Sequence, residues 1–202
     1  MKLSDTPFNR AANGAPAPKL VLPFLSVGTL ATAGIVQFLK DVDVILDVSP
    51  VINEDEEETE AYEAPAKASV EYINLRYSEE GDIDEEETYL GNLFKKAYET
   101  LKGLKADNKK VLVVSTERQY VVGVVLSYKI YSSNALEKDW PLTEAIAFVK
   151  TKDPQRVPGD VTLLALAVLE EELYDEISVP LPSNARAGKK KQTKKPANKN
   201  RR

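Results

Sequence analysis

The chain has 202 residues, a length that suits one domain with extensions at its ends. It contains no cysteine and no histidine, which excludes disulfides, thiol nucleophiles, thiolate metal sites and any Ser-His relay, so catalysis would have to use carboxylates, lysine or tyrosine. The net charge of −5 conceals a basic tail, because nine of the 27 Lys and Arg residues fall within residues 186–202, where there is no acid.

The start of the chain predicts an arm, a strand, a helix and a second strand. Residues 1–19, rich in proline, alanine and asparagine, are expected to form an extended arm with no core of its own. The apolar stretch 19–28 predicts a strand that ends at a glycine. Thr29 is expected to cap a helix whose apolar stripe is Leu30, Ile35, Phe38 and Leu39. Alternation with period two over residues 41–48 predicts the second strand, centred on Val44, Leu46 and Val48.

Two acidic stretches flank the third predicted strand. Residues 54–63 hold seven acids in ten positions and are interpreted as a solvated loop, with a site for a cation or a basic partner as the alternative. Residues 79–87 are interpreted as a second acidic loop. Between them, residues 70–77 predict a strand with Ile73, Leu75 and Tyr77 on one face. The clearest helix of the chain follows, because its apolar residues recur at helical spacing: Leu90, Leu93, Phe94, Ala97, Leu101 and Leu104.

A buried strand and three helices complete the predicted domain. The β-branched run 110–114 predicts the strand, and residues 121–131 predict a buried helix. Residues 140–150 predict a helix with Pro141 in its first turn and an apolar stripe of Leu142, Ala145, Ile146 and Val149. Asp160 is expected to cap a last helix with the stripe Leu163, Leu164, Ala167, Val168 and Leu173. Strands that alternate with helices predict an α/β fold, in which helices flank a central, largely parallel twisted sheet.

The junction that follows residue 114 is the candidate site. A strand that leads through a short polar loop into a helix forms an anion site, because the first N–H groups of the helix have no partners within it. The residues at this junction are Ser115, Thr116, Glu117, Arg118, Gln119, Tyr120 and Val121. The architecture predicts a phosphate cradle, whereas the side chains in it are not those of a catalyst.

From about residue 22 to residue 173 the chain resembles the dual-specificity phosphatases, a branch of the protein tyrosine phosphatases. The stretches that carry the resemblance occur in the order of the family: Phe24–Gly28, Asp43–Pro50, Phe94–Ala97, Lys110–Val113, Val124–Tyr128 and Leu142–Val149. The resemblance implies a dual-specificity-phosphatase-like domain over residues 20–178. The extended arm, residues 1–19, would precede it, and a disordered basic tail, residues 179–202, would follow it.

The chemistry of that family uses a cysteine nucleophile, an arginine six positions later that grips the phosphate, and an aspartic acid on a separate loop. Here the nucleophile position is Ser115, and the arginine position is Val121, or Tyr120 if the loop is one residue shorter. The position of the general acid falls on Tyr77, or on Glu79, Asp82 or Asp84 if that loop is gapped. The resemblance therefore implies an inactive phosphatase-like domain that is not an enzyme and uses no cofactor or metal.

Other residues at the junction have both a structural and a functional interpretation. Arg118 could substitute for the missing arginine, or it could face solvent or pair with Glu117. Ser115 and Thr116 could simply cap the following helix. A glutamate at position 117 would repel a phosphate dianion.

These features predict a non-catalytic scaffold or structural subunit that binds other proteins of a larger complex. The alternative is a phosphoprotein-binding module that uses the residual pocket. The basic tail is expected to dock on a polyanionic surface such as RNA, a microtubule or an acidic protein, through Lys189, Lys190, Lys191, Lys194, Lys195, Lys199, Arg201 and Arg202. No apolar run is long enough for a membrane span. We expect an intracellular, cytoplasmic protein, and leave open a cytoskeletal, nuclear or mitochondrial assembly.

Overall fold

The computed structural model describes residues 17–35, 38–49, 70–75, 86–134, 140–154 and 157–181. The arm before residue 17, the acidic stretches 54–63 and 79–85, and the basic tail from residue 182 lie outside the described residues, so the predicted domain limits remain a prediction. The described strands are β1 (Lys19–Leu22), β2 (Leu25–Val27), β3 (Val44–Asp47), β4 (Glu71–Asn74) and β5 (Val111–Val114). The described helices are α1 (Leu30–Ala33), α2 (Glu86–Ala106), α3 (Arg118–Asn134), α4 (Leu142–Lys152) and α5 (Asp160–Tyr174).

The described strands form one sheet in the order β1-β2-β5-β3-β4. Strands β2, β5, β3 and β4 run parallel to one another, whereas β1 is antiparallel to β2. At the centre, Val111 of β5 pairs with Leu25 of β2 on one side and with Val44 of β3 on the other. The predicted α/β fold with a central, largely parallel sheet is confirmed.

Successive side chains of the two central strands, β3 and β5, point to opposite faces of the sheet and contribute to one apolar cluster on each face. On one face, Leu46 and Val113 belong to the larger cluster, to which α2, α3, α4 and α5 contribute. Their neighbours Ile45 and Leu112 point to the other face and pack with residues of α1 and with Leu39. Strands β3 and β5 are therefore buried on both faces, which explains why β5 is an unbroken apolar run.

The prediction of a single strand over residues 19–28 was wrong, because a hairpin takes its place. Pro23 and Phe24 form the turn between β1 and β2, and the pairing register shifts between Leu20 and Leu22. Proline has no N–H group to donate to a strand ladder, so a continuous strand is interrupted at this position.

The helix that follows Thr29 is capped as predicted but is shorter. The Thr29 hydroxyl accepts a hydrogen bond from the N–H of Thr32 at 3.2 Å, and the Thr32 hydroxyl accepts one from the N–H of Thr29 at 3.0 Å. Helix α1 nevertheless ends at Ala33, with Gly34 at its C-cap. Glycine is a poor helix former, and it separates Ile35 and Phe38 from the helix that was expected to contain them.

The last helix differs from the prediction in its cap and in its buried face. Asp160 is the first helical residue, and Gly159 occupies the N-cap position without a side-chain hydrogen bond, so the predicted Asp160 cap was wrong. The buried face comprises Thr162, Ala165, Leu166, Ala167, Leu169 and Glu170. Of the predicted stripe, Ala167 is buried, whereas the other four residues are partly buried: Leu163, Leu164, Val168 and Leu173. Two polar residues lie on the buried face, and a hydrophobic pattern alone cannot place them there.

Candidate functional site

The candidate site lies at the carboxyl ends of the parallel strands, where β5 continues into α3 through residues 115–117. Helix α3 begins three residues earlier than predicted, so Arg118, Gln119 and Tyr120 belong to its first turn. A cavity of about 300 Å³ opens beside this junction. It is lined by Ala17, Lys19, Val27, Gly28, Thr29, Ser115, Thr116, Arg118, Val121 and Asp153.

Ser115 is held by the backbone on two sides. Its residue exposure is 3%, and its hydroxyl lies 3.4 Å from the carbonyl oxygen of Val48, to which it donates. The same hydroxyl oxygen accepts a hydrogen bond from the N–H of Glu117 at 3.0 Å. Both contacts close the loop onto its neighbours, and a serine held in this way serves as a turn-forming residue.

Thr116 is held by a hydrogen-bonded network from the neighbouring strands. Its N–H donates to the hydroxyl of Ser49 at 3.1 Å. The Ser49 hydroxyl donates in turn to Asp47 Oδ1 at 2.6 Å, and the Tyr72 hydroxyl donates to Asp47 Oδ2 at 2.5 Å. Phosphate cradles bind their ligand with free loop N–H groups. Two consecutive loop N–H groups, those of Thr116 and Glu117, are engaged here by serine hydroxyls.

Arg118 reaches across the cavity to a carboxylate. Its Nη2 lies 3.5 Å from Asp153 Oδ2, and the Nζ of Lys19 lies 2.9 Å from the same oxygen. The side chain of Asp153 is 4% exposed, whereas those of Lys19 and Arg118 are each 53% exposed. Sequence reasoning did not single out Lys19 or Asp153, because neither belongs to a local motif and they lie on separate elements.

The remaining residues of the junction divide between core and solvent. Tyr120 and Val121 are buried at 6% and 1% exposure and belong to the main apolar cluster, and Val121 also lines the cavity. Glu117 is exposed and Gln119 is half-buried, and neither they nor Tyr120 line the cavity. The structure therefore places Ser115, Thr116, Arg118 and Val121 at the cavity. Val121 and Tyr120, the two positions at which the resemblance would put the phosphate-binding arginine, are both buried in the apolar core.

The candidate general acids Tyr77, Glu79, Asp82 and Asp84 lie outside the described residues, as do all the lysines and arginines of the tail. Within the described part of the chain, no group of three or more carboxylates is placed to hold a metal ion. No described helix combines the length and the apolar character needed to cross a bilayer.

The clearest pKa shifts belong to groups on the helices that cover the main apolar cluster. Burial raises the pKa of Tyr131 to about 12, with further contributions from Glu172 and Glu99. Burial also raises the pKa of Tyr98, and it lowers the pKa of Lys129, which lies 3.9 Å from the ring centroid of Trp140. These residues do not line the cavity, so their shifts arise from helix packing.

Comparison with known proteins establishes the fold. No protein-family model and no curated protein sequence matches the chain. Human DUSP28 matches with 20% sequence identity and a TM-score of 0.57, over 78% of this chain and 95% of that chain. This chain has a dual-specificity phosphatase fold.

Two further structures carry the same dual-specificity phosphatase fold. PTPMT1 in complex with PI(5)P shares 18% identity with a TM-score of 0.57, over 85% of this chain and 99% of that chain. The human tyrosine phosphatase-like serine/threonine/tyrosine-interacting protein shares 15% identity with a TM-score of 0.52, over 79% of this chain and 98% of that chain. Likeness at these identities concerns the fold alone, so function has to be argued from the residues at the site.

Proposed function

We propose that this chain is a non-catalytic protein that uses a dual-specificity phosphatase fold as a scaffold or structural subunit of a larger assembly. The observation that carries the proposal is the hydrogen bonding of Ser115. Its buried hydroxyl donates to the Val48 carbonyl and accepts a hydrogen bond from the Glu117 N–H. A serine hydroxyl is a weak nucleophile unless a base activates it, and the chain has no histidine.

The other half of the phosphatase chemistry is also missing. The family grips phosphate oxygens with the planar fork of an arginine, and the corresponding residue here is Val121, which belongs to the apolar core. Tyr120, the other candidate for this position, is buried in the same cluster. Neither side chain offers the paired N–H donors that a transferring phosphoryl group requires.

Hydrolysis of a generic aryl phosphate and of phosphopeptides tests the proposal. We expect the full-length protein to release no more phosphate than its Ser115→Ala variant does. Turnover by the wild-type chain that Ser115→Ala abolishes would overturn the proposal, because it would make Ser115 a catalytic residue.

The proposed contribution of the basic tail is electrostatic attachment to a polyanionic surface. Residues 186–202 carry nine Lys and Arg residues and no acid, so binding through them should weaken steeply with salt. A pull-down with the full chain and with a chain truncated after residue 185 tests this. Loss of the salt-sensitive partner on truncation supports tail docking, and unchanged capture assigns the contact to the folded body.

The human interacting protein that shares the fold offers support at the level of analogy, since its name describes an interacting protein.

A second candidate function, phosphoprotein binding in the residual pocket, has Lys19 and Arg118 in its favour because these two cations line the cavity. Their shared contact with Asp153 opposes it. Saturable binding of a phosphotyrosine or phosphothreonine peptide that Arg118→Ala removes would favour this candidate over the scaffold.

A further inference from the structure

The cavity at the candidate site contains a buried carboxylate between two cations. Lys19 comes from β1, Arg118 is the first residue of α3, and Asp153 directly follows α4. Both cations contact one oxygen, Asp153 Oδ2, at 2.9 Å and 3.5 Å. Three elements that are distant in the sequence therefore meet at a single anionic atom.

The position of Asp153 is not explained by the helix that it ends. Asp153 is the C-cap of α4, where the negative end of the helix dipole disfavours a carboxylate. Helix α4 already carries Lys150 and Lys152 in its last turn, and these are the charges that suit a helix C-terminus. The stabilisation of this acid must come from elsewhere.

The surroundings of the cavity supply that stabilisation. A buried carboxylate is costly unless cations or hydrogen bonds compensate it, and Lys19 and Arg118 do so here. The first turn of α3 contains no acid of its own, and Arg118 at its start supplies the positive charge that the carboxylate contacts. A free oxyanion in this cavity would be stabilised by the same groups.

We propose that Asp153 is the resident anion of this cavity. Its carboxylate occupies the place between Lys19 and Arg118 that phosphate or another tetrahedral oxyanion would occupy, and it thereby excludes such ligands. Asp153 is then the residue that determines ligand specificity at the site. A filled anion pocket and the lack of hydrolysis proposed above are separate properties, because a chain without a nucleophile could still keep an open anion pocket.

The test removes the negative charge and measures the binding of inorganic phosphate to the full-length protein. Asp153→Asn keeps the size of the side chain while leaving Lys19 and Arg118 without their counter-ion. Isothermal titration calorimetry at constant ionic strength should show no saturable binding of phosphate to the wild-type chain. Asp153→Asn should bind phosphate saturably, at least about tenfold more tightly than the weakest binding that the titration can detect. The double variant Asp153→Asn/Arg118→Gln should lose this gain.

Asp160→Asn is the matched control, because it removes one exposed acid from a residue that does not line the cavity. We expect its phosphate binding to equal that of the wild-type chain; an equal gain in this variant would assign the effect to net charge and overturn the proposal. If Asp153→Asn does not fold, Asp153→Ser serves instead with the same expected gain. A folded charge-removing variant without added phosphate affinity overturns the proposal, as does wild-type binding that Arg118→Gln abolishes.

Discussion

The hydroxyl of Ser49 accepts a hydrogen bond from the N–H of Thr116 at 3.1 Å, although the two residues lie 67 positions apart in the sequence. Ser49 is itself anchored, because its N–H and its hydroxyl both donate to Asp47 Oδ1. Since Tyr72 donates to the other oxygen of Asp47, the end of β3 and a side chain of β4 together hold the loop after β5. The loop is fixed by polar contacts that do not involve a ligand.

The first prediction concerns this network. Ser49→Ala should lower the free energy of unfolding by about 1–3 kcal/mol, because the Thr116 N–H and the Asp47 carboxylate each lose a buried partner. Urea unfolding followed by circular dichroism measures the change. Thr151→Ala removes an exposed hydroxyl that bonds the Phe148 carbonyl and should shift the stability by no more than about 0.5 kcal/mol. Equal effects of the two substitutions would contradict the role assigned to Ser49.

The second prediction uses three glycines of the helices that cover the sheet. A Cβ atom at Gly123 of α3 would overlap the ring of Phe94, which is fully buried on α2, whereas a Cβ at Gly91 or Gly103 would meet nothing within 4 Å. Gly123→Ala should therefore destabilise the protein by about 1–3 kcal/mol through overpacking. Gly91→Ala should stabilise it by about 0.5–1 kcal/mol, since alanine is the better helix former.

Thermal or urea unfolding of the two glycine variants decides the matter, and Gly103→Ala serves as a second control. A stabilised Gly123→Ala variant would contradict the prediction, because it would mean that α2 and α3 can move apart to admit the added methyl group at little cost in free energy. Loss of stability in all three variants would contradict the assignment of Gly91 and Gly103 to open helical positions.

The sequence predicted those features that depend on local periodicity. The alternation along β3 placed Leu46 and Val48 in the main cluster, and helical spacing placed Leu93 and Phe94 on the buried face of α2. In α5 the apolar periodicity did not predict the buried face, because that face includes the polar residue Glu170. Hydropathy cannot identify a buried carboxylate whose partners lie on other elements.

The candidate site was only partly predictable for a related reason. Ser115, Arg118 and Val121 line one cavity, whereas Glu117, Gln119 and Tyr120 of the same predicted stretch do not, because only one side of the contiguous loop and helix faces it. The partner of Arg118 was not predictable, since Asp153 is 35 residues away and reaches the cavity through the packing of α4. The pairing of Arg118 with Glu117 that the sequence left open is replaced by this long-range contact.

The third prediction concerns Glu170, which is 1% exposed. Its carboxylate accepts hydrogen bonds from the N–H of Leu142 at 2.6 Å, from the N–H of Ser178 at 2.9 Å and from the Ser178 hydroxyl at 2.7 Å. It thus caps α4, whose own N-cap, Pro141, offers no side-chain hydrogen bond. Glu170→Ala should cost about 1–3 kcal/mol because buried N–H donors lose their acceptor.

Two companion variants separate acceptor loss from charge loss. Glu170→Gln keeps an acceptor oxygen and should cost less than Glu170→Ala. Glu171→Ala, at the exposed neighbouring position, should change stability by no more than about 0.5 kcal/mol. The unfolding transitions of all three, followed in urea, give the comparison. A Glu171→Ala variant as unstable as Glu170→Ala would assign the effect to helix α5 as a whole.

The fourth prediction is a pH dependence that originates at Tyr131. Burial, reinforced by Glu172 and Glu99, raises the pKa of this phenol from 10.0 to about 12, so the folded state favours the neutral form. A group whose pKa is raised on folding contributes stability that is fully present below its unfolded pKa and is lost as the pH rises through the folded pKa. The contribution of Tyr131 should therefore be complete below pH 10 and disappear towards about pH 12.

Tyr131→Phe retains a ring to stack on Tyr98, whose centroid lies 4.5 Å away, but has no proton to lose. Urea unfolding across this range should show a smaller loss of stability in Tyr131→Phe than in the wild-type chain. Some loss should remain, because burial also raises the pKa of Tyr98. Parallel stability curves for the two proteins would show that Tyr131 ionises equally in the folded and unfolded states.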